Sequence, residues 1–315
     1  MENFLVSLEV VLPLCLLMAL GYMLKRVLSL NEQWVLTSNK LLFQVLLPLL
    51  LMRNMLESDL VGLMTPHALG LIGYTAAAIT ISFLILLVLI PRFVQDNARK
   101  GVILQGILRA NTALFGIPVA LSLYGEANLG LFTLLLGAMV PFFNICSIAA
   151  LELFQGEKPN YKTIATNIIR NPLIIGIAAG AALNLLKLPI PLPIKSAVWG
   201  LADTATPLAF LILGASFTFE SAKRNRAALM VVVPFRLVLM PLVWVGLAAL
   251  LGYRGMSLLA TAVIFMPPTA VTSYPMACAM GGDGKLAGEI VVFTSALSIL
   301  TMFFWVFLLK TLYLI

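Results

Sequence analysis

The sequence is poor in the groups that enzymes and metal sites use. Only 10% of its 315 residues are Asp, Glu, Lys or Arg, and there is a single histidine, His67. One histidine argues against a His-based metal site and against a Ser-His-Asp triad, because His67 falls near the end of an apolar run with no obvious partner. The His-Glu-x-x-His helix of zinc hydrolases does not occur. An intramembrane aspartyl protease needs two acids at depth, and Asp203 stands alone. Cys15, Cys146 and Cys278 are far apart in apolar runs and fit no metal spacing, so they are expected to be buried thiols. The chain opens Met1-Glu2-Asn3 without a basic segment, and no small-residue cleavage site follows the first apolar run. That run is therefore expected to be a retained span and not a signal peptide.

What the sequence does have is apolar length. Hydrophobic residues make up 61%, and the mean hydropathy is +1.05. This is the composition of a polytopic membrane protein, all α-helical and embedded in a lipid bilayer. Apolar runs fall at 4–24, 34–56, 68–91, 101–124 and 127–154, then at 163–186, 194–217, 227–251, 255–280 and 286–313. The polar stretch 155–162 separates the two groups of five spans, giving units 1–154 and 163–315. The net charge of +7 comes from basic residues between the runs, which set topology and do not imply a nucleic-acid partner. Eleven Lys and Arg fall on one side (25, 26, 92, 99, 100, 158, 162, 223, 224, 226, 285) and five on the other (53, 187, 195, 254, 310). The first set is expected in the cytoplasm of a cell whose inner membrane holds the protein, with both termini outside.

The two groups repeat one another. Pro13 and Pro172, Gly21 and Gly180, and Pro48 and Pro207 are each 159 residues apart, and Pro118 and Pro275 are 157 apart. A unit of five spans must re-enter the membrane upside down, which is the inverted-repeat arrangement of many transporters. The closest internal match sets ANTALFGIPVALSLYGE (110–126) over PPTAVTSYPMACAMGGD (267–283). They share Thr112/Thr269, Ala113/Ala270, Pro118/Pro275, Ala120/Ala277 and Gly125/Gly282, and end in the acids Glu126 and Asp283. A helix does not run undisturbed through Gly116-Ile117-Pro118 or Pro267-Pro268, because proline lacks a backbone donor and clashes with the preceding turn. In lipid the freed backbone groups need protein, water or ligand partners. Paired interruptions of this kind point to a secondary transporter's binding site. Unwinding over 111–118 would bring half-helix ends to mid-depth, one favouring an anion and the other a cation. The alternative is a pair of kinked helices with packed prolines.

Charged groups at membrane depth are candidates for function. Arg109, two residues before Asn111, offers a fork for a carboxylate; its structural alternative is a partner for an acid or for exposed carbonyls. Asp203, beside Thr206 and Pro207, is a candidate for the coupling proton or sodium ion, or else a cap or an ion-pair partner. Arg170 is expected to reach the headgroups, and Arg236 to bridge helices or attract anions, with no means of choosing. Asn144 suits an interhelical hydrogen bond; Asn39, Lys40 and Gln44 suit a cavity wall or plain packing.

The stretch NTALFGIPVALSLYGE (111–126) resembles the Asn-Thr-x-x-x-Gly-x-Pro signature of the auxin efflux carrier family, which includes plant auxin exporters and bacterial malate- and malonate-type permeases. NKLLFQVLLPLLL (39–51), NPLIIGIAAGAALNLL (171–186), TPLAFLILGASF (206–217), RLVLMPLV (236–243) and DGKLAGEIVVFTSALSILTMFFW (283–305) extend the resemblance along the chain in order. It implies ten helices in two inverted five-helix repeats, similar to bile-acid symporters and sodium/proton antiporters, with the fourth and ninth crossing as broken helices. Spans 1, 2, 6 and 7 would form a scaffold that often dimerises, and spans 3–5 and 8–10 a mobile transport domain. The family's asparagine and prolines carry over to Asn111, Pro118 and Pro275. Pro268 stands where a second asparagine would, so a symmetric ligand pair is absent. The short linker resembles bacterial members and not plant exporters.

The resulting expectation is a secondary transporter of a small organic anion such as malate or malonate, not an enzyme, with no cofactor beyond a coupling proton or sodium ion. Its site would comprise Arg109, Asn111, Thr112, Gly116 and Pro118 with Pro268, Thr269, Thr272, Ser273 and Pro275, and Asp203 and Thr206 would serve the coupling ion. A sodium/proton antiporter or sodium symporter is the rival, weakened by the lack of paired acids in either break. A passive channel would instead show flux without saturation or counterflow.

Overall fold

The structure is a computed structural model that describes residues 2–58, 65–125, 130–155 and 161–315. Glu126 and residues 156–160 of the linker, Lys158 among them, lie outside the described residues. Among those described the chain is helical, and the one β-bridge joins Ala110 to Thr269.

In chain order the helices are α1 (Glu2–Val27), α2 (Glu32–Leu56), α3 (Pro66–Phe93), α4 (Asn97–Leu108), α5 (Thr112–Tyr124), α6 (Gly130–Leu153) and α7 (Tyr161–Arg170). They continue with α8 (Pro172–Leu185), α9 (Leu192–Ser216), α10 (Phe219–Arg224), α11 (Arg226–Leu250), α12 (Gly255–Phe265), α13 (Ser273–Ala279) and α14 (Gly284–Thr311). Six of them, α2, α3, α6, α9, α11 and α14, are long and apolar enough to cross a membrane. Each of the apolar runs 101–124, 163–186 and 255–280 is built from two helices and not one. The break in 163–186 corrects the expectation of a single span. Asn171 ends α7 and caps α8, accepting the N–H of Leu173 at 3.0 Å, while Pro172 takes the first helical position. Arg170 closes α7 with its side chain exposed.

Proline shapes three of the helices in one way. Wide π-turns occupy Leu42–Leu46 in α2, Thr112–Gly116 in α5 and Phe235–Leu239 in α11, and a proline follows each two residues on: Pro48, Pro118 and Pro241. The proline ring collides with the carbonyl four residues back, and the extra residue in the turn moves that carbonyl aside. In α11 the stranded carbonyl of Leu237 finds a replacement donor, the indole of Trp305 on α14 at 2.9 Å.

Glycine sets how closely the helices cross. A Cβ added to Gly21 of α1 would lie 2.0 Å from the Leu211 carbonyl oxygen of α9, and one added to Gly180 of α8 would lie 2.2 Å from that of Met52 in α2. Without lipid-excluding pressure between them, apolar helices gain their contact from such backbone approach. Gly21 and Gly180, like Met52 and Leu211, are 159 residues apart.

Candidate functional site

The chain leaves α4 at Leu108 and runs extended through Arg109 and Ala110 before α5 starts at Thr112. It leaves α12 at Phe265, where Pro267 and Pro268 forbid another turn, and resumes as α13 at Ser273. The two gaps pass each other antiparallel. Asn111 donates its N–H to Pro268 O at 2.8 Å, and Ala270 donates to Arg109 O at 3.1 Å, on either side of the Ala110–Thr269 bridge. Backbone groups freed by the breaks are thus partly satisfied by each other. The first break is narrower than 111–118: helix resumes at once after Asn111, because the π-turn already relieves Pro118.

A cavity of about 200 Å³ opens against this crossing. Its walls are the 109–114 stretch of α5 and its approach, Asn144 on α6, Asn54 on α2, Leu173 on α8, Thr206 on α9, and residues 270–272. Arg109 is 5% exposed and Asn111 8%. The guanidinium donates to Asn144 Oδ1 at 2.7 Å and also lies against the Met276 sulfur. Among the described residues no carboxylate lies within ion-pair distance of Arg109, and none lines the cavity. The Asn111 side-chain Nδ2 is buried with no partner. The first turn of α5 also brings N–H groups that no residue of its own helix can accept. The cavity therefore meets a buried cationic side chain and, beside it, a buried amide donor without a partner.

Of the residues expected at the site, Arg109, Asn111, Thr112, Thr272 and Thr206 line this cavity. The others, Asp203 apart, build the crossing behind it. Thr269 is fully buried and donates its hydroxyl to Gly106 O at 2.7 Å, while its N–H meets Thr294 Oγ1 at 3.2 Å. The Ser273 carbonyl accepts from Gln105 Nε2 at 3.0 Å. Gly116 lets α5 approach α12, since a Cβ there would lie 3.1 Å from Val263. Pro118 follows the π-turn in the second turn of α5, Pro275 sits in the first turn of α13, and Pro268 supplies the carbonyl for Asn111.

Asp203 lies outside the cavity wall, two-thirds exposed, with its carboxylate on Arg53. Arg53 also meets Glu57 at 3.3 Å, and Glu57 accepts from the Trp199 indole at 2.7 Å. Asn39, Lys40 and Gln44 line a separate cavity of about 250 Å³ with Cys278 and Ala279, and Asn39 donates to the Tyr274 hydroxyl at 3.2 Å. The three cysteines are half-buried and free, less enclosed than their apolar runs suggested. His67 does have a partner, the Ser257 hydroxyl at 3.0 Å, on the exposed first turns of α3 and α12.

A family model described as membrane transport protein matches residues 6–306. The chain belongs to that family. This is the family that the auxin-efflux-carrier signature at 111–118 indicated. Among its relatives, an "Uncharacterized transporter" of Methanothermobacter thermautotrophicus is 24% identical over 303 residues, covering 96% of this chain and 98% of its own. A protein of Rhizobium meliloti named "Putative malonate transporter" is 26% identical over 236 residues, 72% of this chain and 73% of its own. The chain is accordingly a multi-pass membrane protein of a transport family.

Sequence reasoning passed over Asn54, whose only signal was an amide in an apolar run, and Gln105, whose signal was the same. It also passed over Glu289, buried in α14 with Oε2 accepting from Asn225 at 2.8 Å. Asn225 in turn accepts from Arg99 at 3.0 Å, and Arg99 faces Asp283 at 3.7 Å. Asp283, the expected counterpart of Glu126, caps α14 by accepting from Leu286 N at 3.0 Å.

Proposed function

We propose that the protein is a secondary active transporter of a small organic anion, a carboxylate of the malate or malonate class, working by alternating access around the crossing. The observation that carries this reading is the buried Arg109 beside the unpartnered Asn111 amide, in a cavity whose described walls hold no acid. A buried cation without a counter-ion is costly, and a bound carboxylate is the group that relieves it while giving the orphan amide an acceptor. Thr112, Thr206, Thr272 and Asn54 supply further hydrogen bonds. The relative named for malonate makes dicarboxylates the first substrates to try.

The architecture proposed for this work is two inverted repeats, 1–154 and 163–315, joined by the linker 155–162. The paired glycine crossings at a common shift of 159 residues support it. Helices α1, α2, α7, α8 and α9 would form the scaffold, through which two copies dimerise, and the remainder would rock against it. The cavity, with α2, α8 and α9 on one side and the crossing on the other, suits such relative motion. The protein would sit in the inner membrane with both termini outside. The antiporter reading finds little support, because cation exchange at the crossing asks for acids, and none is among the described residues of the cavity wall.

The test is uptake of radiolabelled malate and malonate into proteoliposomes under imposed proton or sodium gradients, for wild type and Asn111→Ala. Saturable uptake that the substitution removes is expected. Uptake indifferent to Asn111→Ala would refute the site, and failure of both anions to move would refute the substrate class.

A further inference from the structure

Arg236 is fully buried in the π-turn of α11, and its guanidinium faces backbone oxygens alone among the described residues. Nε and Nη2 donate to Pro267 O at 2.9 and 2.7 Å, and Nη2 reaches Phe265 O at 3.1 Å. Nη1 donates to Ile107 O and Leu108 O at 3.2 and 3.3 Å. These oxygens belong to the last residues of α4 and α12 and to the step just past α12, the carbonyls that no N–H of their own helix can reach. Each helix end carries roughly half a negative charge, so two ends meeting amount to about one. One guanidinium balances them. Among the described residues no carboxylate pairs with Arg236.

Carbonyl oxygens gathered from two helix ends are also the ligands that a hard cation takes. The geometry points to Arg236 as a permanent resident cation of the crossing, occupying the carbonyl cage that a coupling sodium ion would require. Sodium therefore has no place there, and the charge that holds the two half-helix ends together travels with the protein. This deepens the transport reading and rests on it only for the word coupling. The two arginines divide the crossing between them: Arg236 neutralises its carbonyl ends, and Arg109 faces the cavity beside the N-terminal end of α5.

The experiment compares thermal unfolding of the full-length protein in lipid nanodiscs, in sodium chloride and in choline chloride at one ionic strength, for wild type, Arg236→Lys and Arg236→Met. Wild type is expected to unfold at the same temperature in both salts. Arg236→Lys, which keeps the charge, is expected to stay on the order of 5 °C or more above Arg236→Met, which has similar length and no charge. Recovery of folded Lys variant with no folded Met variant is the same result in stronger form. Equal behaviour of the two variants, folded or not, overturns the resident-cation role. So does a sodium-specific rise in the wild-type midpoint. None of these readouts uses substrate, so a failed malonate assay leaves them standing.

Discussion

Asn111 donates its backbone N–H to the carbonyl of Pro268 at 2.8 Å, joining two residues that the internal alignment sets opposite each other. The reverse bond is unavailable, because proline has no N–H. The Asn111 carbonyl turns instead to Phe115 N at 3.2 Å and starts α5. The pair is thus chemically one-sided. Only the Asn111 member has a polar side chain, and that side chain is left buried at the cavity with its Nδ2 unpaired. Whatever symmetry relates the two halves, at this pair the polar side chain belongs to the first alone.

Arg109 should set apparent affinity. Arg109→Gln removes one charge-assisted pairing, worth roughly 1.5–3 kcal/mol, and should raise the half-saturation concentration for malonate uptake about 10- to 100-fold. Arg109→Lys keeps the charge but not the fork that also holds Asn144, so it should fall between wild type and Gln. Identical half-saturation for all three proteins would remove Arg109 from the substrate.

Much of this was legible beforehand. Proline and glycine announced both breaks and the 159-residue shift, because each residue has a backbone consequence that does not depend on distant partners. The roles of single polar residues were less legible. Thr269 matches Thr112 in the alignment, yet Thr112 reaches the cavity and Thr269 is spent on Gly106 O, a difference fixed by which way each break turns. Arg236 looked like either a helix bridge or an anion site, since its acceptors are carbonyls whose exposure depends on where two other helices stop. Glu289 stood among apolar and small residues with nothing local to mark it, and Asn54 stood beside the charged Arg53, which drew the attention to topology.

Asp203 is engaged by Arg53 outside the cavity wall. Asp203→Asn should therefore leave the gradient dependence of uptake unchanged and alter stability by no more than about 1 kcal/mol, as for exposed ion pairs. Uptake that loses its response to the driving ion in this variant would return Asp203 to the coupling site.

Gly21 and Gly180 should behave as equivalents. An alanine Cβ at either would fall within 2.0 to 2.2 Å of a facing carbonyl oxygen, so the helices must part. Overpacking of this kind costs about 1–3 kcal/mol, and Gly21→Ala and Gly180→Ala should lower the thermal midpoint by similar amounts. A neutral result at one position beside a large loss at the other would show that the two crossings are not equivalent.

Trp305 and Pro241 should be coupled, because the indole supplies the hydrogen bond that the proline withholds from Leu237 O. Trp305→Phe leaves that carbonyl buried without a donor and should destabilise by about 1–3 kcal/mol, apart from any packing loss. In the Pro241→Ala background position 241 regains its N–H, the helix can close its own i→i−4 bond, and the indole is no longer needed. The same Trp305→Phe change should then cost less. A double-mutant cycle on thermal or denaturant midpoints measures the difference, and an interaction energy of 0.5 kcal/mol or more, roughly the floor for coupled neighbours, is expected. Additive effects would mean that the indole acts by packing alone and that the π-turn of α11 owes nothing to it.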